Sequence, residues 1–174
     1  LINCAGGIMA QDYEMFEIHD PHRLLRHEYA IDSAGAGRWR GGLGVETEFV
    51  IEGEGVTGIA FGDGIEEEAR AFGLFGGQPG SINAVSMEYP DGSTVVPKAK
   101  AIVRGIPRGT IFRQSAGGGG GYGDPHERPQ DLVLADVQDG LLSVDAARRD
   151  YGVAIDAVSM KIDAAATKLL RARS

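Results

Sequence analysis

The chain has 174 residues, 43% of them hydrophobic, enough for one ordinary domain with a real core. A net charge of −8 and a pI near 5 argue against a nucleic-acid binder, and no apolar run approaches the ~20 residues that span a bilayer. Twenty-seven glycines, about twice the usual share and without a three-residue period, exclude collagen and point to tight turns between short strands.

The chain opens Leu1-Ile2-Asn3-Cys4-Ala5-Gly6-Gly7, apolar and glycine-rich with neither an initiator Met nor a signal segment, and this reads as the middle of a longer protein. Cys4 is the only cysteine; no internal disulfide can form, a reducing, cytoplasmic setting is expected, and Cys4 carries no nucleophile signature. Residues 1–22 show no clear period and read as loop or short irregular elements. Leu25 to Asp32 alternates as a strand and stops at the turn cluster Ser33 to Gly37. Val45, Thr47, Phe49 and Ile51 share one face of a second strand, and Gly53-Glu54-Gly55 is expected to turn it back as a hairpin into Val56–Phe61.

The acidic run Glu66-Glu67-Glu68 reads as a solvated face leading into one helical turn, and Phe75 to Gly80 reads as a loop. Short strands follow at Ala84–Tyr89, Thr94–Val96, Lys100–Val103 and Thr110–Gln114, with Pro90-Asp91-Gly92 as the turn between the first two. Beyond Pro129 the pattern becomes helical: 130–139 ending at Gly140, 143–152 with Ser143 as N-cap and Gly152 as stop, and a last helix opened by Asp163. The expected class is α+β: a β-rich sandwich or barrel-like sheet followed by carboxyl-terminal helices. The expected division is an irregular lead-in over 1–28, continuing from a missing amino-terminal part, a β-rich core over 29–128 and a helical tail over 129–174.

Two glycine-rich segments stand out. In Asp32-Ser33-Ala34-Gly35-Ala36-Gly37-Arg38-Trp39-Arg40-Gly41-Gly42-Leu43-Gly44, Arg38 and Arg40 flank the only tryptophan. The two guanidiniums and free backbone N–H groups suit a carboxylate or phosphate covered by Trp39; alternatively, Trp39 plugs the core and the arginines pair with acidic surface. In Ser115-Ala116-Gly117-Gly118-Gly119-Gly120-Gly121-Tyr122-Gly123-Asp124-Pro125, five consecutive glycines cost much entropy to order, so another backbone or a ligand must reward it unless the loop is simply mobile. The expectation is that several of these glycines have positive φ or lie against another backbone. Tyr122 would then anchor the loop end, and Asp124 would accept local N–H bonds. Neither a Walker A loop nor a dinucleotide fingerprint fits, because no Lys-Ser/Thr and no βαβ unit accompany the glycines. The substrate- or anion-binding candidates are therefore Arg38, Trp39, Arg40, Gly118, Gly119, Gly120, Tyr122 and Asp124, and no catalytic residue is named. His19-Asp20-Pro21-His22 offers only weak metal candidates in His19 and His22, since Pro21 prevents a rigid helical pair, and His126 beside Asp124 and Glu127 is weaker still.

These two segments, followed in order by Ser143-Val144-Asp145-Ala146-Ala147-Arg148-Arg149-Asp150-Tyr151-Gly152-Val153, resemble the carboxyl-terminal portion of the hydantoinase B/oxoprolinase family from about Tyr29 onward. The resemblance implies the B-type subunit of an ATP-dependent cyclic-amide hydrolase, of the hydantoin, N-methylhydantoin or 5-oxoproline type. Its partners would be a hydantoinase A-type ATP-binding subunit, the remainder of the B-type subunit and a small-molecule substrate. Two other readings stay open: a ketone carboxylase subunit of the acetone/acetophenone carboxylase type, or a purely structural assembly domain. The resemblance places ATP in the partner and a divalent metal in an amino-terminal part outside this sequence. The chain alone is therefore expected to be inactive and to bind no cofactor of its own.

Overall fold

The computed structural model describes residues 12–172. Cys4 and the apolar opening lie outside that range. Where the sequence suggests loop or short irregular elements, Asp12 caps a short helix α1 (Tyr13–His19), its carboxylate accepting from the Glu14 N–H at 3.3 Å. The helix stops at Asp20, before Pro21, and the chain turns into β1 (His22–Tyr29), three residues earlier than the alternation indicates.

Among the described residues the strands run in the order β1, β2 (Val45–Ile51), β3 (Val56–Phe61), β4 (Ala84–Glu88), β5 (Thr94–Val95), β6 (Lys100–Ile106), β7 (Ile111–Ala116), β8 (Ile155–Asp156) and β9 (Lys161–Ile162). Five make one antiparallel sheet in the order β1-β2-β7-β4-β5, while β3 pairs with β6 and β8 with β9 as separate ribbons. The fold is thus α+β, with no closed barrel among the described residues. The expected β2–β3 hairpin does not form. Both edges of β2 are already taken by β1 and β7, so β3 leaves the sheet after Gly55 and pairs with β6, Ile59 opposite Ile102. The Pro90-Asp91-Gly92 turn does join β4 to β5: Gly92 sits at φ 83°, and the Asp91 carboxylate accepts from the Ser93 N–H and hydroxyl, which holds its pKa below the ordinary value.

Two apolar cores result. Ile51, Met87 and Ile106 are buried between the large sheet and the β3–β6 ribbon, with Phe49 stacked on Phe112 at 4.7 Å. The second core joins α2 (Gln130–Gln138) and α3 (Val144–Tyr151) through Val133, Val137, Ala147, Tyr151, Val153 and Ile155, and it takes in Ala36 from the first glycine-rich segment. Ser143 caps α3 by accepting from the Ala146 N–H at 3.0 Å, and Gly152 ends it at φ 61°. Asp163 caps α4 (Ala164–Arg171) in the same way.

Candidate functional site

Three glycine-rich segments, rather than the two singled out from sequence, converge. Residues 117–123 run between residues 33–44 on one side and 72–81 on the other, and main-chain hydrogen bonds lace them together. The Gly35 N–H donates to the Gly119 carbonyl (2.8 Å), Gly119 to Gly42 (2.8 Å), Gly121 to Gln78 (2.9 Å) and Gln78 to Ala36 (2.7 Å). None of Gly117 to Gly121 has positive φ. What requires glycine here is the close approach of backbones. A Cβ at Gly118 would strike the Ser33 carbonyl, one at Gly120 the Phe72 carbonyl, and one at Gly41 the Gly119 carbonyl. Ordering these glycines is therefore rewarded by backbone pairing, the first of the two alternatives that their entropy poses. Side chains close the remaining gaps: Asn83 accepts from the Gly117 N–H (2.6 Å) and Ser81 from the Gly118 N–H (3.0 Å).

The candidate residues separate around this module. Arg40 turns inward, its Nε donating to Asp136 of α2 at 3.1 Å, and Arg128 donates to the other Asp136 oxygen at 2.8 Å. Both Arg128 and Asp136 side chains are nine-tenths buried, so this is an internal charge cluster holding the first glycine-rich segment to the helices. Arg38 stays exposed, 3.5 Å from an equally exposed Glu127. Trp39 does not plug the core; it is 62% exposed and pairs through its backbone with Tyr122. Gly118, Gly119 and Gly120 are engaged within the module. Asp124 caps the turn Pro125–Glu127, accepting from the His126 N–H at 2.8 Å.

His19 ends α1, and the His22 ring lies among aromatics, 5.6 Å from Phe16 and 5.1 Å from Phe49. Among the described residues no group of three or more His, Cys, Asp or Glu side chains is placed to hold a metal ion. No helix among them is long and apolar enough to cross a membrane.

Clefts lie away from these candidates. One, of about 690 Å³, runs along the β3–β6 ribbon, with Phe61, Asp63, Asn83, Lys98 and Gln114 among its lining. A smaller one of about 300 Å³ covers the polar face of the large sheet. There Arg113 bridges Glu48 and Glu88 at 3.0 and 2.6 Å, and Arg26 pairs with Glu28 and Glu46. Sequence reading missed the roles of Asp136, Arg128, Asn83 and the third segment. Only the last left a signal, the glycines and aromatics of Phe72-Gly73-Leu74-Phe75-Gly76-Gly77.

A family model described as hydantoinase B/oxoprolinase matches residues 2–125. The beta subunit of the caprolactamase of Pseudomonas jessenii is 34% identical over 173 residues, covering 97% of this chain and 29% of that protein. A crystal structure of the ATP-dependent caprolactamase of that organism superposes with a TM-score of 0.77 at 32% identity, over 94% of this chain and 28% of that one. A protein of Pseudomonas sp. (strain NS671), named as the B-type subunit of a D-/L-hydantoinase, is 31% identical, over 91% of this chain and 26% of its own length. The nucleotide-free structure of acetone carboxylase shares the fold, with a TM-score of 0.75 at 22% identity over 94% of this chain and 26% of its own. The chain thus spans under a third of the length of the curated relatives it matches. With the glycine-rich segments, the sheet and the helices aligned along nearly its whole length, the chain belongs to the hydantoinase B/oxoprolinase family.

Proposed function

We propose that this chain is part of the B-type subunit of a cytoplasmic, ATP-dependent cyclic-amide hydrolase that works with a separate A-type, ATP-binding subunit. The observation that carries the reading is the likeness to the beta subunit of a caprolactamase along 97% of the chain. The chemistry divides naturally between two polypeptides. An amide carbonyl is a poor electrophile until ATP phosphorylates its oxygen. Water then adds to the carbon, the C–N bond breaks with the ring nitrogen leaving as an amine, and the acyl phosphate so formed is hydrolysed to carboxylate and phosphate. No Lys-Ser/Thr follows the pentaglycine run, and this reading assigns nucleotide binding to the partner.

Within that assembly the contribution of this chain is scaffolding. Arg40 is committed to Asp136, and the polyglycine run is committed to neighbouring backbones. The substrate class is a small cyclic amide: a lactam, a hydantoin or 5-oxoproline.

The test combines the full-length gene product with its A-type partner and follows ATP-dependent ring opening of caprolactam, hydantoin and 5-oxoproline. Ring opening of at least one, with none by the 174-residue chain alone, is the expected result. ATP-dependent carboxylation of acetone or acetophenone without ring opening would overturn the hydrolase reading in favour of the carboxylase branch, whose fold the chain shares.

A further inference from the structure

One end of the glycine module presents an apolar face that nothing among the described residues covers. Trp39 is 62% exposed, Phe72 75%, Leu74 48%, Phe75 77% and Tyr122 49%. Trp39, Leu74, Phe75 and Tyr122 are held together rather than scattered, and Phe72 lies two residues before Leu74 with its carbonyl against Gly120. Trp39 and Tyr122 exchange backbone hydrogen bonds at 3.0 and 2.9 Å. Leu74 donates to the Gly121 carbonyl and accepts from the Gly123 N–H, both at 2.9 Å. The Phe75 and Tyr122 rings lie 5.1 Å apart.

Phe75 also sits at φ 52°, a left-handed conformation that a bulky side chain adopts only against strain. The turn that holds it there has Gly76 at positive φ as well and is closed by the Gly77 N–H donating to the Leu74 carbonyl at 3.0 Å, and it leaves the Phe75 ring 77% exposed. Beside Trp39, Arg38 lies 3.5 Å from Glu127. What remains is an aromatic-rich face whose own side chains carry no charge and whose backbones are hydrogen-bonded to one another. Those are the features of the core of a permanent protein interface, and a mobile, charged rim has none of them.

We propose that Trp39, Phe72, Leu74, Phe75 and Tyr122 form the seat on which the rest of the same B-type polypeptide packs. The proposal rests on the reading above, in which the chain is one part of a longer subunit. The relatives are more than three times as long as the segment they share with this chain, so most of such a polypeptide is available to cover the face. An uncharged aromatic surface suits a partner that is always present, such as the same polypeptide, better than one that must dissociate.

The experiment is hydroxyl-radical footprinting, read by mass spectrometry, on the full-length gene product purified without its A-type partner. Intact mass first tests the underlying reading: a product near the 18.4 kDa of this chain would sink both it and the proposal. For a longer product, labelling of Trp39, Phe72, Phe75 and Tyr122 should be at least about tenfold slower than for free aromatic amides, as for side chains sealed from water. Phe75→Asp should restore labelling at Trp39 and Tyr122, while Phe75→Leu should not. Fast labelling of a longer product overturns the proposal while leaving the functional reading intact. Protection that appears only when the A-type partner is added does the same.

Discussion

The glycine module and the helical lobe beside it are both tightly packed, yet they are closed by different parts of the chain. In the lobe, side chains make the contact: Val133, Val153 and Ala147 are fully buried and Tyr151 is 1% exposed, so volume and shape decide stability. In the module the backbones themselves touch, and hydrogen bonds run between segments rather than along a regular ladder. Glycine is required there because it lacks a Cβ, whereas at Gly92 and Gly152 it is used for left-handed geometry. Ala36, a member of the helical core that flanks the pentaglycine run, ties the two regions together, as does the Arg40–Asp136 pair.

That pair offers the hardest test of the comparison. Asp136→Ala strands Arg128, and partly Arg40, without a counter-ion; a loss of about 3–5 kcal/mol is expected in urea denaturation, since it breaks a buried charge cluster. Within the module, Gly118→Ala or Gly120→Ala drives a methyl into a carbonyl of a neighbouring segment and should cost about 3 kcal/mol, the upper range of overpacking. If those variants unfold at the same urea concentration as the parent, the backbone-contact account fails.

The helical lobe can be probed through pH. Burial pushes the Tyr151 phenol up to about 12. The folded protein then holds this proton more tightly than the unfolded chain does. Its contribution is whole below about pH 10, the unfolded value, and declines by up to about 1.4 kcal/mol per pH unit as pH rises toward the folded value. Tyrosinate absorbance should show one of the five tyrosines titrating only near 12, and Tyr151→Phe should remove that step.

A smaller effect separates capping from packing. Ser143→Ala removes the acceptor for the Ala146 N–H and should cost about 1 kcal/mol, read as a lowered Tm. Smallest of all is Gly42→Ala, expected within about 0.5 kcal/mol because a Cβ there meets nothing within 4 Å. A large effect at Gly42 would mean that glycine serves this module for some reason other than backbone contact.

Local chemistry made much of the fold legible. Ser143, Gly152, Asp163 and Pro90-Asp91-Gly92 are read correctly because each acts on atoms within a few residues of itself. The alternation that predicts β2 is likewise local. The same logic fails at Gly53-Glu54-Gly55: a turn between two strands says nothing of whether the edge it points back to is free. It also missed α1 and the β8–β9 ribbon, which are too short to show a period.

For the candidate site, the sequence by itself determined that the pentaglycine run is costly to order and that Asp124 accepts local N–H bonds ahead of Pro125, because entropy and capping depend on residue type. It also carried the family resemblance, in motifs whose order survives without any coordinates. Only the tertiary structure decided that the cost is met by two other glycine-rich segments, that Arg40 turns inward to Asp136, and that Trp39 faces out beside Phe75 and Tyr122. The physical reason is distance along the chain. Asp136 lies 96 residues from Arg40, and which of many acidic residues meets a given arginine is settled by packing that no local pattern encodes.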